Sequence, residues 1–129
     1  MIVIDCAAAV DAITAVNGNE GLRAALTDED LHAPALLDFE VVSALRELTL
    51  RNHITPARAR DALTDFDALS IQRWPSAAPL RLRAFSLRDN LSAYDAAYVV
   101  LAEALQCPVL TRDTRLARSS GHDVGIRVR

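Results

Sequence analysis

Apolar positions along the chain follow two rhythms. The first is a short unbroken run: Met1 to Ile4 before Asp5, and Cys107 to Thr111 before Arg112 and Asp113. Runs of that length that end on a polar residue suit strands buried on both faces of a parallel sheet. The second rhythm is helical. Leu37, Val41, Ala44 and Leu48 fall at i, i+4, i+7 and i+11, one apolar stripe of a helix over residues 36–50. Thr55 followed by Pro56 is an N-cap with proline in the first turn, opening a helix to about Ala68 with Ala59, Leu63 and Phe66 inward. Ser92-Ala93-Tyr94-Asp95 opens another through Leu105 and has the form of a capping box.

Weaker signals fill the intervals. Residues 7–16 are Ala-rich and predict a short helix closed by the turn Asn17-Gly18-Asn19, and residues 20–26 predict another. Residues 31–33, 69–74 and 124–128 predict short strands, the last at a sheet edge. Residues 79–87 predict a helix, as does a final turn around Leu116 that Gly121 ends. Helices alternating with short apolar strands, with no repeats or linkers, predict one α/β domain over 1–129 with a mainly parallel central sheet flanked by helices.

Composition narrows the class. The chain has 129 residues, of which 51% are hydrophobic and 5% aromatic, so its core is built from Ala, Leu and Val. No apolar run approaches the roughly 20 residues of a membrane span. The opening residues read as a core strand rather than a signal peptide. The two cysteines, Cys6 and Cys107, match no zinc or redox spacing, and a reducing, cytoplasmic setting is expected. Net charge is −3, which does not mark a nucleic-acid binder, but every basic residue is arginine, a good phosphate ligand. An acidic metal site also hides a basic rim in the total charge.

The candidate chemistry lies in four acids. Asp5 ends the first strand, Glu40 sits in the first turns of an apolar helix, Asp95 opens a helix among Ala and Tyr, and Asp113 follows an apolar strand. Ligands of parallel α/β sheets bind beyond the carboxyl ends of strands. Carboxylates beside apolar core are costly unless compensated, and a divalent cation compensates several at once. Each acid has a plain structural alternative: Asp5, Asp95 and Asp113 as helix caps, Glu40 as the partner of an arginine such as Arg46. Spacing alone leaves both readings open.

The blocks around these acids resemble the PIN-domain ribonucleases, and within them the VapC-type toxins of bacterial toxin–antitoxin pairs. Ile2-Val3-Ile4-Asp5 is similar to the family's first strand and first acid, and residues 34–46 to the segment carrying the second, Glu40. Leu91-Ser92-Ala93-Tyr94-Asp95-Ala96-Ala97-Tyr98 resembles the third block, and residues 107–116 the fourth, with Thr111 and Asp113 at metal-proximal positions. Two positions depart from the pattern. Ala7 stands where the family often has Ser, and Ser43 where it often has Asn; neither removes a carboxylate.

That resemblance implies a Mg²⁺- or Mn²⁺-dependent ribonuclease whose metal and catalytic residues are Asp5, Glu40, Asp95 and Asp113. Thr111 would support the metal site, and Arg112 and Arg115 would contact phosphate. It also implies an RNA substrate, a small VapB-like antitoxin, a homodimer and no membrane. The helices over 36–50 and 55–68 would together form a groove for an amphipathic antitoxin helix. His32, His53 and His122 read as surface or half-buried residues without a catalytic part. Two other classes compete with this one. A phosphotransfer enzyme of the dehalogenase type would carry an acid two residues after the first, where this chain has Ala7, and a late lysine, of which it has none. A PIN fold with a dead site would serve only as an interaction module.

Overall fold

A computed structural model describes residues 1–16, 18 and 21–129. Five strands form one sheet: β1 (Ile2–Ile4), β2 (Leu31–Pro34), β3 (Gln72–Trp74), β4 (Val109–Thr111) and β5 (Ile126–Val128). Their order is β3-β2-β1-β4-β5 and every pairing is parallel. The chain therefore winds from β1 outward through β2 to β3, then returns to the other side of β1 for β4 and β5. The strand order reverses between β1 and β4, so their carboxyl ends flank the crevice where such sheets bind ligands.

The helices are α1 (Cys6–Thr14), α2 (Leu22–Thr27), α3 (Leu37–Leu50), α4 (Pro56–Ala68), α5 (Ala78–Ser86), α6 (Ala93–Leu105) and α7 (Thr114–Ala117). Right-handed crossovers place the helices linking β1, β2 and β3 on one face and those of the return connection on the other. The packing agrees: α1, α3 and α4 pack on one another, and α5 packs on α6, which lies over β1 and β2. Between the layers the core is aliphatic, with Val3, Ile4, Ile13, Leu37, Val41, Val99, Leu101 and Val109 fully buried.

The expected elements are present, with shifts at their ends. On α3 the buried residues are Leu37, Val41 and Leu45, while Ala44 and Leu48 are half-buried at the margin. The first strand runs only to Ile4 and the fourth starts at Val109. The last helix is one turn ending at Ala117, well before Gly121. The helix expected over 20–26 is Leu22–Thr27. Asn17, Asn19 and Glu20, on which that turn and helix start were placed, lie outside the described residues.

Candidate functional site

Asp5 is the pivot of the site. Its N–H continues the β1–β4 ladder by donating to the Leu110 carbonyl at 3.1 Å. With Ile4 registered opposite Leu110, the next residues of the two strands, Asp5 and Thr111, come side by side. The Thr111 hydroxyl donates to Asp5 Oδ2, and the Ala8 N–H donates to Asp5 Oδ1 at 3.0 Å. Asp5 thus caps α1 while lying at the strand-order reversal, so the expected capping role is present at the place where such sheets bind ligands. Burial, against which these two hydrogen bonds work, and the nearby charges of Asp95 and Asp113 push its carboxyl up to about 6.

Thr111 is fully buried and also accepts from Asp113 N–H at 2.9 Å, so one hydroxyl joins the first acid to the loop that carries the fourth. Asp113 caps α7, its Oδ1 accepting from Arg115 N–H at 2.9 Å. Its carboxylate is also gripped by the exposed Arg115 guanidinium, with Nη2 at 2.8 Å from Oδ2. Those bonds hold the Asp113 carboxyl below its usual range.

Glu40 reaches the same end of the sheet from the first turn of α3 and accepts from the Tyr98 hydroxyl at 2.5 Å. Tyr98 is 3% exposed. Burial first, then the bond and charge of Glu40, push its phenol well above the usual range, so the proton stays on the tyrosine. Cys6 lies among these groups. Burial and the charges of Glu40 and Asp5 push its thiol up to about 12, so it is neutral and offers no thiolate to a soft metal.

Asp95 departs from expectation by being exposed. It stands at the third position of α6, where its N–H donates to the Ser92 hydroxyl at 3.2 Å, and its charge is felt by both Asp5 and Arg115. Of the four acids only Asp5 is buried; Glu40 and Asp113 are half-buried. Among the described residues, no three His, Cys, Asp or Glu side chains are gathered tightly enough to enclose a metal ion. Asp113 in particular is turned to Arg115.

Arg112, expected to contact phosphate, is engaged within the chain. Its Nε donates to Asp11 Oδ2 at 2.9 Å and its Nη2 to the Gly18 carbonyl at 2.8 Å. Asp11 is buried in α1, and an unpaired carboxylate there would be costly, so the arginine is drawn inward. Arg115 is the cation of the pair that faces solvent. The histidines stand apart from the acids. His32, expected at or near the surface, is buried: Nδ1 accepts from the Trp74 indole at 2.9 Å, and Nε2 lies 2.9 Å from Asp30. His122 pairs with the Ser119 hydroxyl at 2.8 Å and accepts from Val124 N–H.

Sequence reasoning missed the Asp11–Arg112 pair and the part of Tyr98. An acid within the Ala-rich run of α1 was the available signal for the first. For the second it was a tyrosine in a helix otherwise apolar from Ala96 to Ala102.

An all-parallel sheet with acids at its strand-order reversal defines an α/β protein with carboxylates where such sheets bind ligands. Residues 2–121 match the model of the PIN domain, and the chain belongs to that family. It is 38% identical to Ribonuclease VapC12 of Mycobacterium tuberculosis over 128 residues, covering 99% of this chain and 98% of that protein. It is 43% identical to Ribonuclease VapC9 of the same organism over 118 residues, covering 91% and 89%. Among solved structures, PAE2754 from Pyrobaculum aerophilum shares the fold with a TM-score of 0.70 at 20% identity, covering 98% of this chain and 83% of that one.

Proposed function

We propose that the protein is a Mg²⁺- or Mn²⁺-dependent ribonuclease that hydrolyses RNA phosphodiesters at a metal site formed by Asp5, Glu40, Asp95 and Asp113, and that it acts as the toxin of a VapBC-type pair. The observation that carries the reading is Asp5. It is a buried carboxyl pushed up to about 6 at the strand-order reversal, under the charge of two more acids, in a chain similar over nearly its whole length to VapC ribonucleases. An all-carboxylate set beside a neutral thiol suits a hard cation with oxygen ligands.

When bound, such a cation would polarise a phosphoryl oxygen and lower the pKa of a coordinated water. The chain's own residues prepare for it. Thr111 and Ala8 fix the two oxygens of Asp5, and Tyr98 fixes one oxygen of Glu40. Asp95, at the exposed mouth, meets the solvent from which RNA arrives. Arg115 holds Asp113; a bound cation would compete for that carboxylate and would leave the guanidinium free to meet a phosphate.

The partner reading has local support. Val42, Leu45, Leu50, Pro56, Ala59 and Leu63 line an apolar groove of about 250 Å³ between α3 and α4, suited to an amphipathic antitoxin helix. Self-association would use the other face, where Leu82, Phe85 and Tyr94 are exposed beside an apolar cavity of about 720 Å³. No helix among the described residues is long and apolar enough to cross a membrane.

The test is RNA cleavage by purified protein with Mg²⁺, Mn²⁺ or chelator. Cutting should need the metal and vanish in Asp5→Asn. Cleavage that persists in chelator, or none under any condition, rejects the reading. Co-expression with a VapB-like antitoxin should give a complex that no longer cuts.

A further inference from the structure

We propose that Tyr98 is a positioning residue for Glu40: its buried hydroxyl holds one carboxylate oxygen at the acid cluster and thereby sets how tightly the cluster takes up Mg²⁺ or Mn²⁺. The inference rests on the metal-site reading above and adds to it a residue outside the four acids.

The bond joins residues 58 apart in the chain at 2.5 Å, within the range of a hydroxyl donating to a carboxylate. It also joins the two helical layers. Glu40 belongs to α3, in the layer of α1 and α4, and Tyr98 to α6, in the layer of α5. The two meet past the carboxyl ends of the strands. Tyr98 lies three residues after Asp95, one turn on along the same side of α6. A single helix therefore presents one acid and the support for another.

The hydroxyl has no packing purpose. Ala96, Tyr98, Val99, Val100, Leu101 and Ala102 are all buried, and a phenylalanine would fill the same space without desolvating an O–H. What the oxygen adds is a donor that carries no charge. Arg115 neutralises Asp113 as it grips it, whereas Tyr98 orients Glu40 and leaves its negative charge for a cation. With Oε1 so engaged, the Glu40 carboxylate is held in one orientation. Thr111 treats Asp5 in the same way. Hydrogen-bond partners of metal-ligating groups set affinity by about 10- to 100-fold.

The experiment measures the Mn²⁺ dissociation constant of metal-free protein without RNA, by the electron paramagnetic resonance of free Mn²⁺. It compares the natural chain, Tyr98→Phe, Glu40→Gln and the double variant. Tyr98→Phe should weaken Mn²⁺ binding about 10-fold. In the Glu40→Gln background the same change should add less than about twofold, because the hydroxyl acts through the carboxylate. RNA cleavage by Tyr98→Phe should fall at low Mn²⁺ and recover at high Mn²⁺, which a general loss of structure would not reproduce. If phenylalanine packs poorly, 4-fluorophenylalanine at position 98 fills the phenol's space without its proton and should give the same result. Unchanged Mn²⁺ affinity, or an equal loss with and without the Glu40 carboxylate, overturns the inference while the metal site stands. A natural chain that binds no Mn²⁺ overturns the metal-site reading and this inference with it.

Discussion

The Thr111 hydroxyl lies between the Asp5 carboxylate, to which it donates, and the Asp113 N–H, from which it accepts at 2.9 Å. The β1–β4 register alone brings these residues together across the sheet. Replacing Thr111 with Val keeps the buried shape and removes the link. We expect Thr111→Val to cost about 1–2 kcal/mol of stability, read by urea denaturation, since a buried hydroxyl's partners lose their bonds. Cleavage should drop at least about 10-fold, because Asp5 and the Asp113 loop lose their common support. A variant that cuts like the natural chain would deny Thr111 any part in holding the site.

Asp5 makes metal-free stability depend on pH. Its folded carboxyl is raised from 3.8 to about 6, so it contributes stability that is fully present below 3.8 and lost as pH rises through 6. Asp5→Asn has no such loss. Thermal melts in chelator should show the variant gaining on the natural chain between pH 4 and pH 7, by an amount on the order of 2 kcal/mol. Saturating Mn²⁺ should reverse the order, since it stabilises only the chain that binds it. A gap that does not change with pH would mean the Asp5 carboxyl is not raised.

The Asp11–Arg112 pair ties α1 to the loop between β4 and α7. Arg112→Ala removes one cation from the buried Asp11, and we expect a loss of about 1–3 kcal/mol in denaturant unfolding. The arginine is half-buried and turned inward, so RNA affinity per folded molecule should change little. A large rise in KM with stability intact would return Arg112 to the phosphate.

Arg115 should show the opposite pattern. Its side chain is 84% exposed, and the exposed pair with Asp113 adds little stability. In Arg115→Ala the Asp113 carboxylate loses its ion pair and keeps only the backbone bond, so Mn²⁺ should bind severalfold more tightly in the absence of RNA, measured by calorimetry. RNA should bind more weakly, with a rise in KM. Unaltered Mn²⁺ affinity would show that the ion pair does not compete with the cation.

Much of this protein was written locally. The apolar runs of β1 and β4, the stripe of α3, the caps Thr55 and Ser92 and the positions of all four acids follow from neighbours within a few residues, where strand and helix periods act. What the tertiary structure decided joins residues far apart. Thr111 meets Asp5 across 106 residues, Arg112 meets Asp11 across 101, and Tyr98 meets Glu40 across 58. No local pattern encodes such pairs, because they depend on strand register and on which face each helix covers. For the same reason Asp95 lies exposed at the mouth rather than against the core, and Arg112 turns inward from its place beside Asp113. Sequence determined which chemical groups the strand ends carry; packing between layers determined which of them are held, and by what.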